Sequence, residues 1–111
     1  MIHTETQGAV DVVKVDGTLN AEKIGELAQT LERLTKAGAP MVVCDLAHTQ
    51  LVDSDGLEWL LDASDQVASC GGTIKLSGLS PLVADILRLT GVAERFEIFE
   101  TAKAGVGSFS R

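Results

Sequence analysis

Apolar and polar positions change period several times along this chain, and each change marks an element. Ile2 to Thr6 and Ala9 to Val15 alternate loosely around Gln7-Gly8, as two short strands joined by a tight turn do. Gly17 closes the second strand. From Ala21 to about Lys36, Ile24, Leu27, Ala28, Leu31 and Leu34 recur at three-four spacing. That spacing predicts a helix buried on one face, with Asn20 as its N-cap and with Gly38 and Pro40 ending it. Met41-Val42-Val43-Cys44-Asp45-Leu46 is apolar except near its end, the pattern of a central strand covered on both faces. Helical spacing returns from about Ser54 to Ser69, with Leu57, Leu60, Leu61, Ser64, Val67 and Ala68 expected inside and Gly71-Gly72 as the stop.

Thr73 to Ser77 reads as a further strand. Ser80-Pro81 starts a helix whose inner stripe is Val83, Ile86, Leu87 and Thr90, and Gly91 ends it. Phe96, Ile98 and Phe99 fall in a last strand. Thr101 is a capping residue for a brief terminal helix that Gly105 and Gly107 weaken, so residues from about 102 read as a short tail. Strands alternating with helices call for right-handed crossovers. The fold class expected is α/β, one domain over residues 1–111 with about five strands and about four helices. The hairpin at the start makes the sheet mixed, with an antiparallel edge.

Composition narrows the function. A chain of 111 residues holds one core and has no room for a second lobe. Aromatic residues are only 4% of it, so the core is aliphatic. No apolar run is long enough to span a membrane, and Met1 to Thr6 does not read as a signal peptide. The expectation is a cytoplasmic protein without direct membrane insertion. A net charge of −7 argues against nucleic acid, whose phosphates need a basic footprint, and favours a basic or mixed protein partner. Cys44 and Cys70 lack metal-site spacing and read as buried thiols. His3 and His48 belong to no cluster, and no catalytic residue, metal ligand or cofactor is assigned.

The candidate site is the loop that ends in Asp53-Ser54-Asp55-Gly56. A serine hydroxyl at a helix N-terminus faces unpaired N–H groups and the positive end of the helix dipole, which favour an anion such as phosphate. A purely structural role competes with this: Ser54 as N-cap, worth about 1 kcal/mol, or Asp55 and Glu58 as a capping box. Asp55, Glu58, Asp62 and Asp65 form one helix stripe without a cation, where like charges repel by roughly 0.2–0.5 kcal/mol per pair. Such a stripe is either a solvated face or a docking surface for a basic partner. Trp59 lies off the expected inner stripe, so at least partial exposure is expected for it, either as an interface anchor or partly covered by a neighbouring loop.

Asp45-Leu46-Ala47-His48-Thr49-Gln50-Leu51-Val52-Asp53-Ser54-Asp55-Gly56-Leu57 resembles the STAS domain of bacterial anti-sigma factor antagonists. The family has a strand ending in Asp-Leu, a loop, and then Asp-Ser-Ser/Thr-Gly-Leu. The likeness continues through Gly71-Gly72-Thr73-Ile74-Lys75-Leu76, Leu79-Ser80-Pro81, Leu87-Arg88-Leu89-Thr90-Gly91 and Phe96-Glu97-Ile98-Phe99. Upstream, Val15-Asp16-Gly17-Thr18-Leu19-Asn20 stands where the family has Gly-Glu-Leu-Asp. The resemblance covers roughly residues 8–101.

The resemblance implies a mixed sheet with helices mainly on one side, and a binding module without catalysis of its own. It implies phosphorylation of Ser54, beside Asp53, by a partner that is both anti-sigma factor and serine kinase with a histidine-kinase-like ATPase fold. Binding by the unphosphorylated form, and release on phosphorylation, would then follow. Asp53, Asp55, Gly56, Glu58, Trp59, Asp62 and Asn20 are the expected partner-binding residues. Asp55 replaces the family's Ser or Thr and Asn20 replaces its Asp, so one negative charge is gained and one lost. Other STAS modules serve stressosome-like assemblies, and one stand-alone type belongs to bacterial lipid-transport ABC complexes. A rival, weaker likeness joins Asp53-x-Asp55-Gly56-Leu57 to Mg²⁺-dependent haloacid-dehalogenase-type phosphatases, although the strand is expected to stop too early, near Leu46. The same string is a fragment of a calcium-loop pattern lacking its other ligands.

Overall fold

A computed structural model describes residues 1–110. Strands β1 (Ile2–Gln7) and β2 (Val10–Asp16) pair antiparallel around Gly8, whose φ of 64° suits a tight hairpin turn. Helix α1 (Ala21–Thr35) leads to strand β3 (Met41–His48), then helix α2 (Ser54–Ser69) and strand β4 (Thr73–Ser77). Helix α3 (Pro81–Leu89), a 3-10 turn over Val92–Arg95, strand β5 (Ile98–Phe99) and helix α4 (Ala102–Ser108) complete the chain. The sheet order is β1-β2-β3-β4-β5, parallel from β2 onward. This is the mixed α/β sheet expected, with five strands and four α-helices.

Alternation along β2, β3 and β4 sends successive side chains to opposite faces. Val13, Val15, Val42, Cys44, Leu46, Ile74 and Leu76 face the larger core with Leu27 and Leu31 of α1, Leu60 and Val67 of α2, and Val83 and Leu87 of α3. Val10, Val12 and Val43 face the other side, where Ala102, Val106 and Phe109 cover them. Three helices therefore share one face and α4 takes the other. Residues Ala102–Ser108 form this helix where a short tail was expected. Thr101 caps it by accepting from the Ala104 N–H, and Gly105 suits the site because α4 lies close on β3 there. A Cβ at Gly105 would already touch both Val43 methyls at 3.3 Å.

Lys75 is buried on this second face. Its Nζ donates to Ser108 Oγ at 2.7 Å, lies 3.1 Å from Glu97 Oε2, and sits 4.1 Å from the Phe109 ring centroid. A buried ammonium needs such company, and each partner comes from the C-terminal segment, which is thereby held on the sheet.

Several expectations change in detail. β3 runs on to His48, and β5 contains Ile98 and Phe99 but not Phe96, which follows the 3-10 turn. Ala28 and Thr90 are exposed, and Ile86 is half-buried. Cys70 is half-buried and Cys44 fully so. Burial pushes the Cys44 thiol up to about 12, so at neutral pH it is an unreactive core residue.

Candidate functional site

Two loops meet where the site forms. Leu19 N donates to Leu51 O at 2.9 Å, Asp53 N donates to Leu19 O at 3.2 Å, and Leu19 bridges Val52 in parallel fashion. Gly17 N donates to His48 O at 3.0 Å. The buried Thr49 hydroxyl donates to Val15 O at 2.9 Å. The loop after β2 and the loop after β3 thus behave as a continuation of the sheet, and α1 and α2 start side by side. Asn20 caps α1, its side-chain oxygen accepting from the Glu22 N–H. Asp53 caps α2, its Oδ1 accepting from the Gly56 N–H at 3.0 Å.

This cap settles which residue starts α2. Ser54 is neither N-cap nor buried: it is the first helical residue, exposed, with its hydroxyl outside the cap. The expected capping box of Asp55 and Glu58 does not form, because Asp53 takes the capping position and moves the frame by two residues. Asp53 also lies beyond the end of β3 with its carboxylate turned onto the first turn of α2. A phosphatase nucleophile of the kind suggested by the string would sit directly at the strand end.

Gly56 is the contact on which this arrangement depends. A Cβ there would meet Leu19 O at 2.4 Å, and Leu19 Cγ and Val52 Cγ1 each at 2.9 Å. Only glycine lets the first turn of α2 lie this close to the loop bridge.

That closeness also turns the helix. The buried residues of α2 are Gly56, Trp59, Leu60, Ala63 and Val67. Leu57, Leu61 and Ser64 are half-buried and Ala68 is exposed. The inner face is therefore rotated by about one residue, some 100°, from the face expected. Trp59 comes inward with it, and at 7% exposure it is a core residue, not an exposed anchor. It belongs to the same buried core as Leu27, Leu31, Val42 and Cys44. The expectation of partial exposure failed because the leucines were read as the inner stripe and the small residues Gly56 and Ala63 were not.

The acidic stripe is divided. Asp65 pairs with Arg95 from the 3-10 turn, which brings a cation that α2 itself lacks. Asp55, Glu58 and Asp62 have no ion-pair partner among the described residues. Together with Ala21 and Ile24 of α1 and part of Trp59 they line a surface depression of about 290 Å³. The structure thus brings Ser54, Asp53, Asn20, Asp55, Glu58 and Asp62 to one end and side of the molecule, around the paired starts of α1 and α2. Ile24 and Ala21 of α1 were missed in the sequence as members of this surface. The signal for them was the Leu19–Val52 pairing, which a linear reading does not contain.

Comparison with known proteins agrees with this geometry. The family described as "Mlab, STAS domain" matches residues 2–100. A putative anti-sigma factor antagonist from Thermotoga maritima superimposes with a TM-score of 0.90 at 18% identity, covering 99% of this chain and 95% of that one. An anti-sigma factor antagonist from Mycobacterium paratuberculosis gives 0.87 at 21% identity, covering 100% and 94%. The Bacillus cell fate determinant SpoIIAA in its phosphorylated form gives 0.77 at 14% identity, covering 98% and 99%. No curated protein matches the sequence significantly. At these identities the structural likeness speaks for the fold, and the family match covers nearly the whole chain: the protein belongs to the STAS domain family.

Proposed function

We propose that this protein is a phosphorylation-gated binding regulator of the anti-sigma factor antagonist type, with Ser54 as the phosphoacceptor. One observation carries this reading. Ser54 is exposed on the first turn of α2 while Asp53 performs the capping, so the hydroxyl is available and its modification leaves the cap in place. The partner is an anti-sigma factor that is also a serine kinase, with a histidine-kinase-like ATPase fold. It binds the surface around Asn20, Asp53, Asp55, Gly56, Glu58 and Asp62. Trp59 supports that surface from behind.

Phosphorylation adds about −1.5 to −2 charges and three acceptor oxygens. The α2 N-terminus stabilises that charge in the free protein. At a closed interface the dianion must lose water beside Asp53 and Asp55, and the complex separates. The protein does no catalysis of its own and works in the cytoplasm; no helix among the described residues is long and apolar enough to cross a membrane. The similarity to a STAS protein in its phosphorylated form supports the reading by analogy. Mass spectrometry of the protein recovered from its native cells tests it: a phosphate is expected on the peptide containing Ser54. A phosphate found only at another residue overturns the assignment.

In a second reading, open to any STAS module, the protein is a non-switching subunit of a bacterial ABC lipid-transport or other membrane-associated assembly and the same face is a static contact. Under that reading the protein co-purifies with a permease and its ATPase, and Ser54→Glu weakens the assembly without any phosphate cycle. Genes for a permease and an ATPase cassette beside this one point the same way, whereas a neighbouring histidine-kinase-like ATPase gene points to the first reading.

A further inference from the structure

The two edges of the sheet are finished differently. Strand β5 is 2 residues long and offers little backbone to a partner. Strand β1 is 6 residues long, contains no Pro, Gly or Lys, and keeps an unbroken register against β2 from Ile2 to Gln7. Short strands, prolines, lysines and bulges are the usual devices that keep a sheet edge from pairing, and β1 has none of them. Among the described residues its only neighbour in the sheet is β2. Every residue from His3 to Gln7 is exposed, so no helix covers this stretch on either face. Ile2 packs against the core and ties the strand down.

The ladder with β2 fixes which backbone groups point outward. Asp16 N donates to Met1 O at 2.9 Å and Met1 N donates to Asp16 O at 3.0 Å, a pair that exchanges both bonds. Antiparallel pairs alternate, so His3, Glu5 and Gln7 also turn their N–H and C=O groups to β2. Ile2, Thr4 and Thr6 turn theirs away from it, toward water or another strand.

We propose that β1 pairs with β1 of a second copy of this chain, antiparallel about a two-fold axis at Thr4. In that register Thr4 exchanges both bonds with Thr4 of the second copy, and Ile2 exchanges both with Thr6 of the second copy. His3 stands opposite Glu5 of the second copy at a non-hydrogen-bonded position, where side chains come closest, and the symmetry repeats the contact. Glu5 is prepared for it. Its Oε1 takes Gln7 Nε2 at 3.0 Å and Lys14 Nζ at 3.3 Å, and its Oε2 has no partner among the described residues. The Gln7 hydrogen bond, and then Lys14, hold its carboxyl below the usual carboxylate range, so it accepts as an anion. The imidazole N–H of His3 is the donor. Sliding one strand by two residues sets Glu5 against Glu5 or His3 against His3, and sliding it by one turns opposed side chains to different faces. The strand's own chemistry thus selects one register. No residue of the face around Ser54 takes part, and the pairing does not depend on phosphorylation.

Sedimentation equilibrium of the full chain tests this. Edge pairing buries little area, so the mass is expected to rise from that of one chain toward that of two as concentration passes through about 0.1–1 mM. Thr4→Pro removes an outward N–H and no bond to β2, and should weaken association at least about tenfold with an unchanged circular dichroism spectrum. Disulfide trapping in a Cys70→Ser background reads the register. The two Thr4 Cα atoms are expected about 5.5 Å apart, within disulfide reach, and the two Thr6 Cα atoms about 14 Å apart. Thr4→Cys should therefore cross-link at least about tenfold faster than Thr6→Cys, although both positions are exposed. A mass that stays at one chain throughout, association unchanged by Thr4→Pro in a folded chain, or equal cross-linking at the two positions overturns the proposal. Should the proline variant lose the wild-type spectrum, the mass of the wild type and the trapping decide.

Discussion

Ser54 and Ser80 each stand at the start of a helix, and the structure uses them in opposite ways. Ser80 is the N-cap of α3: its hydroxyl accepts from the Val83 N–H at 3.2 Å, and Pro81 follows at the first helical position. Ser54 stands one residue inside α2, where Asp53 has already satisfied the Gly56 N–H. One hydroxyl is occupied by the fold and the other is left to solvent. A serine at a helix start is thus a candidate switch only when a different residue supplies the cap. The local sequence makes the difference readable: Asp-Ser places a stronger acceptor ahead of the serine, whereas Leu79-Ser80-Pro81 offers no alternative cap.

The contrast can be tested through stability, measured by denaturant unfolding. The largest effect is expected at Gly56→Ala, because the new methyl meets the Leu19 carbonyl and cannot be accommodated by a side-chain rotation. A loss of about 1–3 kcal/mol is expected, the usual range for overpacking. A neutral result would mean that the α2 start is not held against the Leu19 bridge. Asp53→Ala and Ser80→Ala come next, each costing about 0.5–2 kcal/mol as lost caps. Ser54→Ala should stay within about 0.5 kcal/mol of wild type, as exposed substitutions do. Equal losses at Ser54 and Ser80 would erase the distinction between them. The smallest effect, a gain of a few tenths of a kcal/mol at low salt, is expected for Glu58→Gln with Asp62→Asn through relieved repulsion.

Element order and the place of Ser54 at a helix start were legible in the sequence because they depend on short-range chemistry. Apolar period, glycine stops and the Ser80-Pro81 start each act over a few residues, and every predicted strand and helix has a counterpart in the structure. The orientation of α2 was not legible. Leu57, Leu60 and Leu61 outweigh Gly56 and Ala63 in any reading by hydrophobicity, but close approach to the Leu19 bridge puts Gly56 on the inside, and Ala63 lies on the same face. That selection carried Trp59 inward. Likewise Asp65 appeared equivalent to Asp62 until the 3-10 turn placed Arg95 beside it. The register of loops against each other is a long-range property, and period along one helix does not encode it. Helix α4 stands between these cases. Thr101 announced its cap, but Gly105, one of the two glycines that argued against the helix, suits its close seat on Val43.

The most direct test of the central claim uses the proposed partner kinase and labelled ATP with three proteins: wild type, Ser54→Ala and Ser80→Ala. Label is expected on wild type and on Ser80→Ala, and none on Ser54→Ala, with all three folded by circular dichroism. Labelling of Ser54→Ala to the wild-type level would contradict the account, because the phosphate would then sit on a residue other than the hydroxyl that the Asp53 cap leaves free.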